Sequence, residues 1–328
     1  MKAMIRAVGA YAPARVLTNE ELSTMVDTSD EWITDKTGVK RRHIAADDQS
    51  TSDLAVLAAR MALERAQMPA ESIDLILLAT STPDFPSFPS TACIVQDRIG
   101  AKNAGAMDVV AACTGFIYAL DTASAFIKSR KLKNVLVIGA EVMSRVLDWT
   151  DRATCVLFGD AAGAVLVTAN EGHGPSDIVY SLLRSDGSGD RALERTVGGT
   201  RYPLQYDETD RHETCLKMDG RRVYTFAVRV LVESIEKTLR DTELGLDDIA
   251  YVVPHQANYR IIAAAAQRSG IPLEKFYMNL MEYANTSAAS IPLALNEMHE
   301  KRLLRRGDYL LFIGFGAGLT YGANLVRY

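Results

Sequence analysis

The sequence lacks long apolar runs and has few cysteines. None of its 328 residues belong to an apolar run of about 18 residues, so no membrane-spanning helix is predicted. Residues 1–11 lack an apolar segment long enough for a secretion signal. The four cysteines, at positions 93, 113, 155 and 215, show neither C-x-x-C spacing nor zinc-ligand spacing with histidine. These absences predict a cytoplasmic protein without a disulfide framework or a metal site.

Excess positive charge and nucleotide-binding glycine motifs are also absent. The formal net charge is −5, which gives no reason to expect nucleic acid or a membrane as a partner. Gly159 and Gly163 are four residues apart, but no G-x-x-x-x-G-K-[ST] occurs and no G-x-G-x-x-G begins a helix. Apolar residues are plentiful instead, at 48% of the chain against 23% charged. This composition is typical of a globular enzyme with a large core.

Short continuous apolar runs predict buried strands at residues 73–79, 134–139, 249–255 and 309–314, with helical patterns between them. Continuous rather than alternating apolar runs are typical of parallel sheets covered by helices on both faces. The sequence therefore predicts an α/β fold.

The second half of the chain repeats the first. The strand at Ile249 follows that at Ile73 by 176 residues, and the strand at Tyr309 follows that at Asn134 by 175. A loop-to-helix step at Asn285 follows a similar step at Cys113 by 172 residues. A nearly constant offset indicates a duplicated unit. We expect halves at 1–175 and 221–328, joined by a connection or insertion over 176–220, of which 185–219 is the most loop-like part.

Cys113 stands where a short apolar run that begins at Ala106, predicted as a buried strand, gives way to a helical pattern over 116–127. Unpaired N–H groups and the positive end of the helix dipole at this position favour a thiolate. This predicts a thiol of lowered pKa, suited to act as a nucleophile. The alternative is a core cysteine, because free cysteine is among the most buried residue types.

His255 and Asn285 occupy the corresponding strand-end and helix-start positions of the second half. Loops at strand ends are where open α/β sheets bind ligands, so the duplication predicts that Cys113, His255 and Asn285 converge on one site. Each also has a structural alternative. His255 could be a hydrogen-bonded core histidine, and Asn285 could cap the helix that follows it.

Three motifs carry a family resemblance: Ala111-Ala-Cys113-Thr-Gly-Phe, Val253-Pro-His255-Gln-Ala-Asn258 and Asn285-Thr-Ser-Ala-Ala-Ser. They resemble the Cys, His and Asn motifs of the thiolase-fold condensing enzymes, most closely those of the β-ketoacyl-[acyl-carrier-protein] synthase III family. The resemblance extends over essentially the whole chain. It implies a five-layered αβαβα fold built from two pseudo-repeated halves.

The resemblance also implies a two-step acyltransferase reaction without a cofactor. Cys113 takes the acyl group from an acyl-CoA, and the backbone N–H groups of Cys113 and Ala317 form the oxyanion hole. His255 and Asn285 then donate hydrogen bonds to the thioester oxygen of malonyl-[acyl-carrier-protein] as carbon dioxide leaves. The product is a 3-oxoacyl-[acyl-carrier-protein], formed in the initiating step of type II fatty-acid synthesis.

Further residues follow from the resemblance by their positions in its motifs. They are expected to serve CoA binding (Thr28, Trp32, Lys36, Arg152 and Asn258), the acyl pocket (Phe88 and Met143) and carrier-protein docking (Arg260 and Arg268). Lys36 stands where the family usually has arginine, and Gln267 where it has a lysine. Phe88 is expected to reach into the acyl pocket of a partner subunit, which implies a homodimer.

Three other functions compete with this one. A thiolase needs a second cysteine in the last glycine-rich turn, and no cysteine follows position 215, which argues against a biosynthetic thiolase. A specialised ketosynthase or acyltransferase of polyketide, quinolone or chalcone-synthase type would keep Cys, His and Asn. A non-enzymatic binding protein would form no covalent adduct with acyl-CoA.

Overall fold

The computed structural model describes residues 1–172, 174–205 and 209–328. Its strands are β1 Lys2–Tyr11, β2 Arg15–Thr18, β3 Arg41–Ile44, β4 Leu75–Ala79, β5 Gly105–Val109, β6 Asn134–Glu141, β7 Ala161–Asn170, β8 Asp177–Ser185, β9 Leu193–Arg195, β10 Leu216–Met218, β11 Ile249–Pro254, β12 Tyr309–Gly316 and β13 Thr320–Arg327. Its helices are α1 Asn19–Leu22, α2 Asp30–Thr37, α3 Thr51–Ala66, α4 Thr91–Ile99, α5 Gly115–Lys128, α6 Gly220–Thr242, α7 Tyr259–Ser269, α8 Leu280–Tyr283 and α9 Ser290–Glu300.

Two sheets of matching topology confirm the predicted pseudo-repeat. The first sheet has the order β1-β7-β6-β4-β5, and the second has the order β8-β13-β12-β11. In both, the strand at one edge is antiparallel to its neighbour, as β1 is to β7 and β8 is to β13. The next strand is parallel to the one after it, as β6 is to β4 and β12 is to β11. The strands β1, β7, β6 and β4 thus correspond to β8, β13, β12 and β11.

Helices form three layers around the two sheets. α5 and α9 lie between the sheets, where α5 contacts β4 and β6 of the first sheet and β8 and β13 of the second. α3 and α4 cover the outer face of the first sheet, and α6 and α7 lie on the outer side of the second. This order gives the five-layered αβαβα fold that the resemblance implied.

The central helix α5 is buried because its sequence is apolar on most of its circumference, as predicted. Phe116, Ile117 and Leu120 are fully buried and belong to one core cluster with side chains from both sheets, among them Val137 and Phe312. Burial of such side chains stabilises the fold by roughly 1.5–3 kcal/mol each. The helix that follows Cys113 is therefore a rigid support.

β5 differs from the sequence prediction of a buried strand. It lies at the edge of the first sheet, where β4 is its one partner among the strands that the structure describes, and its residues are half-buried or exposed. Val110, directly after it, is 83% exposed. An apolar run can be an edge strand as well as a central one, and periodicity alone does not separate the two.

The expected connection over 176–220 begins with β8, which is hydrogen-bonded to β13 in the second sheet. Residues 186–219 then form an excursion in which β9 and β10 pair antiparallel, while 206–208 lie outside the described residues. Within the described ranges, no helix has both the length and the apolar character needed to cross a membrane.

Candidate active site

Cys113 lies in a tight 3-10 turn, Ala112–Thr114, between the end of β5 and the start of α5. Ala112 has a φ of 46°, a left-handed conformation that is uncommon for a residue with a Cβ atom. Gly316 of β12 packs against the turn so closely that a Cβ on it would lie 2.8 Å from the Cys113 nitrogen. The two halves therefore meet at the nucleophile candidate.

The predicted lowering of the Cys113 pKa is wrong. Burial raises the pKa of the Cys113 thiol to about 12, and the nearby Glu141 carboxyl adds to the rise. The Ser287 hydroxyl and the backbone N–H of Cys113 itself lower the pKa by hydrogen bonding, but they do not offset desolvation. Cys113 is only 6% exposed, and with a pKa of about 12 its free thiol is protonated at neutral pH.

His255 follows the last residue of β11 and is held from two sides. Its backbone N–H donates to the carbonyl of Ile313 at 2.7 Å, and its Nδ1 is 2.7 Å from the Ser290 hydroxyl. Its ring meets that of Phe315 edge-on, with centroids 5.6 Å apart. Burial lowers the His255 pKa to about 3, so the imidazole is neutral over the physiological range.

Asn285 is oriented by its own loop. Its backbone N–H donates to the carbonyl of Leu157 at 2.9 Å, and its side-chain Oδ1 accepts from the Ser287 N–H at 2.9 Å. A backbone N–H can only donate, so the contact identifies the carboxamide oxygen unambiguously. The amide NH2 is therefore the end of the carboxamide that is free to serve a ligand.

One cavity of about 220 Å³ brings these side chains together. Cys113, His255 and Asn285 are no more than 6% exposed, whereas Lys36 and Arg152 on the same cavity are exposed. The cavity therefore runs from the surface to the buried sulfur. The remaining lining side chains are mostly apolar and include Val156, Leu157, Phe158, Leu193, Met218, Val223, Ile261 and Phe315.

Trp32 and Arg152, both predicted to bind CoA, are stacked on each other at the exposed end. The Arg152 guanidinium carbon lies 4.8 Å from the centroid of the Trp32 ring, and Arg152 donates to the carbonyl of Asp27 at 3.0 Å. Lys36 lines the same part of the cavity and forms an ion pair with Asp35 at 3.0 Å. An aromatic face, a guanidinium and an ammonium are suited to a base and phosphates.

Of the two remaining residues predicted to bind CoA, Asn258 lines the cavity and Thr28 does not. Asn258 lines the cavity, accepts from the Arg260 N–H as the N-cap of α7, and donates to the carbonyl of Lys36 at 3.1 Å. Thr28 is not a lining residue. Its buried hydroxyl has no hydrogen-bond partner within the residues that the structure describes.

Phe88, Met143 and Ala317 do not line the cavity. Phe88 is 86% exposed. Met143 is buried in a small cluster behind Phe158, which is itself a lining residue. Ala317 follows β12 at the first position of the hairpin turn, next to the lining residue Gly316.

The two residues predicted for carrier-protein docking lie eight positions apart on α7 and are both exposed. Arg260 is already paired: its guanidinium lies 2.8 Å from the carboxylate of Asp35 and also donates to the Asp35 carbonyl. Asp35 thus holds Arg260 and Lys36 together. The sequence carried no signal for this arrangement, because Asp35 and Arg260 are far apart in the chain.

Several residues of the site were missed by sequence reasoning. Ser287 and Ser290 contact Asn285 and His255, although both lie within the motif that begins at Asn285. Leu193 and Met218 reach the cavity from the excursion between the halves. In the described part of the chain, no group of three or more His, Cys, Asp or Glu side chains is arranged to hold a metal ion.

Comparisons with known proteins match nearly the whole chain to one family. The family model described as 3-Oxoacyl-[acyl-carrier-protein (ACP)] synthase III matches residues 107–187, and its C-terminal counterpart matches 239–328. A beta-ketoacyl-[acyl-carrier-protein] synthase III of Clostridium acetobutylicum is 48% identical over 324 residues, covering 99% of this chain and 98% of the relative.

Solved structures give the same result. The 3-oxoacyl-[acyl-carrier-protein] synthase III of Aquifex aeolicus VF5 has a TM-score of 0.91 at 46% identity, covering 99% of this chain and 100% of the other. A beta-ketoacyl-[acyl-carrier-protein] synthase III of Thermus thermophilus has a TM-score of 0.91 at 43% identity, with 99% of both chains covered. The likeness therefore includes both halves and the excursion between them.

Proposed function

The chain belongs to the 3-oxoacyl-[acyl-carrier-protein] synthase III family, and we propose that Cys113, His255 and Asn285 are its catalytic residues. As a member, it is an acyltransferase that condenses an acyl-CoA with malonyl-[acyl-carrier-protein]. The products are a 3-oxoacyl-[acyl-carrier-protein], CoA and carbon dioxide, and the reaction initiates type II fatty-acid synthesis. Family membership favours this function over a specialised ketosynthase of secondary metabolism and over a binding protein.

In the first half-reaction the Cys113 sulfur attacks the thioester carbonyl of the acyl-CoA. Because the pKa of this thiol is about 12, the proton leaves as the bond forms. Neutral His255 accepts it at Nε2 and returns it to the CoA sulfur as the carbon–sulfur bond of the substrate breaks. Backbone N–H groups of Cys113 and Ala317 stabilise the tetrahedral oxyanion.

In the second half-reaction malonyl-[acyl-carrier-protein] replaces CoA in the cavity. Loss of carbon dioxide moves an electron pair onto the thioester oxygen, where Asn285 and the Nε2–H of His255 donate hydrogen bonds. The resulting enolate attacks the acyl carbonyl, the Cys113 sulfur leaves as a thiolate, and uptake of one proton from water restores the thiol. The Ser290 hydroxyl beside Nδ1 can donate or accept, so it supports the imidazole tautomer that each half-reaction requires.

The observation that carries these roles is the single cavity lined by all three side chains and by Trp32 and Arg152. The test is intact-mass measurement after incubation with acyl-CoA, followed by addition of malonyl-[acyl-carrier-protein]. Cys113→Ser is expected to form no acyl thioester. Asn285→Ala and His255→Ala are expected to acylate, the latter more slowly, and to release no carbon dioxide. Survival of both steps in all three variants would refute the assignment.

A homodimer that pairs through the edge of the first sheet is part of the proposal. β5 is an edge strand, and its unpaired side presents backbone groups that a second copy could bond. Phe85, Phe88, Met107 and Val110 expose large apolar side chains near this edge. Phe88 would then reach the acyl pocket of the partner subunit. Monomers by sedimentation at micromolar concentration would contradict this arrangement.

We further propose that the chain has two functional halves and that it acts in the cytoplasm. Residues 1–175 supply the nucleophile, 221–328 supply His255 and Asn285, and the excursion between them supplies lining residues. Free thiols at Cys93, Cys155 and Cys215 support a reducing compartment. The CoA thioester is a substrate, and no cofactor enters the steps above.

A further inference from the structure

Glu141 is a buried carboxylic acid with no part in the reaction described so far. It is the last residue of β6 and is 0% exposed. Its two oxygens accept hydrogen bonds from the hydroxyls of Thr80 at 3.1 Å and Thr82 at 2.5 Å, and from the Ser81 N–H at 3.0 and 3.1 Å. A further bond comes from the Ser287 hydroxyl at 2.9 Å.

The hydroxyl donors are oriented toward Glu141 by other bonds. Thr80 Oγ1 accepts from the Thr82 N–H at 3.0 Å, and Thr82 Oγ1 accepts from the Val142 N–H at 2.9 Å. Each hydroxyl hydrogen is thus free to donate to the carboxyl group. No lysine or arginine of the described residues forms an ion pair with Glu141. Burying such a group is costly, and these hydrogen bonds offset the cost.

Ser287 connects this carboxyl group to the site. Its hydroxyl is held by Glu141, and its backbone N–H holds the carboxamide oxygen of Asn285. Its φ of 48° is left-handed, a strained conformation for a residue with a Cβ that requires support from its surroundings. The bond to Glu141 supplies such support. Three segments, at the ends of β4 and β6 and at the Asn285 loop, therefore meet at one carboxyl group.

We infer that Glu141 is a positioning residue which, acting through Ser287, holds the Asn285 carboxamide with its NH2 toward the reacting thioester. The inference rests on the proposed role of Asn285 in decarboxylation. A hydrogen-bond donor stabilises an enolate only when it is aligned before the charge develops. Loss of Glu141 therefore affects the second half-reaction more than the first.

The primary test is Glu141→Gln, which keeps the shape of the side chain. It replaces one acceptor oxygen with an NH2 group, which cannot accept the hydrogen bonds that the surrounding groups donate. Acylation is monitored in a single turnover by intact-mass measurement. Carbon dioxide release from malonyl-[acyl-carrier-protein] is then measured on the acylated enzyme. We expect carbon dioxide release to fall about 10- to 100-fold, while acylation changes by less than about 3-fold, as for a misplaced catalytic group.

Two further variants keep the test independent of folding defects. Thr80→Val removes a donor from Oε2 of the same carboxyl group, whereas Ser287 bonds Oε1, and the substitution is expected to slow neither half-reaction selectively. Ser287→Ala removes the link while keeping the N–H on Asn285, and it is expected to share the loss of carbon dioxide release. The double variant Glu141→Gln/Ser287→Ala is expected to be no worse than the more impaired single variant.

Equal slowing of both half-reactions in Glu141→Gln, or carbon dioxide release at the wild-type rate, would overturn the positioning role. So would additive effects of the two substitutions. Failure of the proposed function has a different signature, because the wild-type protein itself would then form no acyl adduct or release no carbon dioxide.

Discussion

Ser287 adopts the same left-handed backbone as Ala112, 175 residues earlier, with φ values of 48° and 46°. Each begins a 3-10 turn that leads into a central helix, α5 after Ala112 and α9 after Ser287. The duplicated fold thus brings two copies of one tight turn to the same cavity. The first copy presents Cys113, and the second holds Asn285 through a backbone N–H.

Gly316→Ala is expected to disable the nucleophile turn. The added Cβ would lie 2.8 Å from the Cys113 nitrogen and 3.3 Å from its Cβ, and backbone atoms there cannot yield without moving the sulfur. We expect single-turnover acylation, measured by intact mass, to fall by ~100-fold. Gly187→Ala, where no atom lies within 4 Å of the new Cβ, is the matched control. Acylation of Gly316→Ala at the wild-type rate would show that the turn tolerates displacement.

Arg152→Ala is expected to weaken binding of the CoA nucleotide without affecting chemistry at the sulfur. The substitution removes the guanidinium that is stacked on Trp32 at the exposed end of the cavity. We expect KM for acyl-CoA to rise ~10-fold with kcat nearly unchanged, the pattern of lost uniform binding. An acyl-pantetheine substrate lacks the nucleotide and serves as the control. An equal rise in KM for that substrate would refute the assignment.

Asp35→Asn is expected to strengthen binding of anionic substrates. The Asp35 carboxylate neutralises Lys36 and Arg260, whose side chains in turn lower its pKa. Freeing two cations should lower KM for acyl-CoA and malonyl-[acyl-carrier-protein] by ~2- to 5-fold at low salt, and the gain should vanish as salt screens it. Glu64→Gln, an exposed change of equal charge on α3, is the control. An unchanged or raised KM would contradict the prediction.

The reactivity of Cys113 toward iodoacetamide is expected to rise steadily with pH. Because burial raises the thiol pKa to about 12, the thiolate fraction grows tenfold for each pH unit below that value. The alkylation rate constant of the free enzyme should therefore increase ~10-fold per unit between pH 7 and 9, without a plateau. A plateau near pH 8 would mean a far lower pKa.

Much of the fold followed from local patterns. The strands β4, β6, β11 and β12 and the buried helix α5 lie where apolar runs predicted them, because burial of a segment is encoded by its own side chains. The prediction that pairs the loop-to-helix step at Asn285 with that at Cys113 is wrong by three residues. The offset of 175 relates Ser287 to Ala112, so Asn285 corresponds to Val110 and not to Cys113. Sequence spacing alone gave no sign of the shared left-handed turn.

The two α/β halves and the three motifs at their strand ends can be predicted from local sequence, since they depend on residues that are neighbours in the chain. The properties of the site arise only once the chain is folded. The Cys113 pKa is set by desolvation from both halves, and Asp35 and Arg260 meet although they are 225 residues apart. The role of Glu141 depends on Ser287, 146 residues away. Desolvation and hydrogen bonding act through space, so no local pattern specifies them.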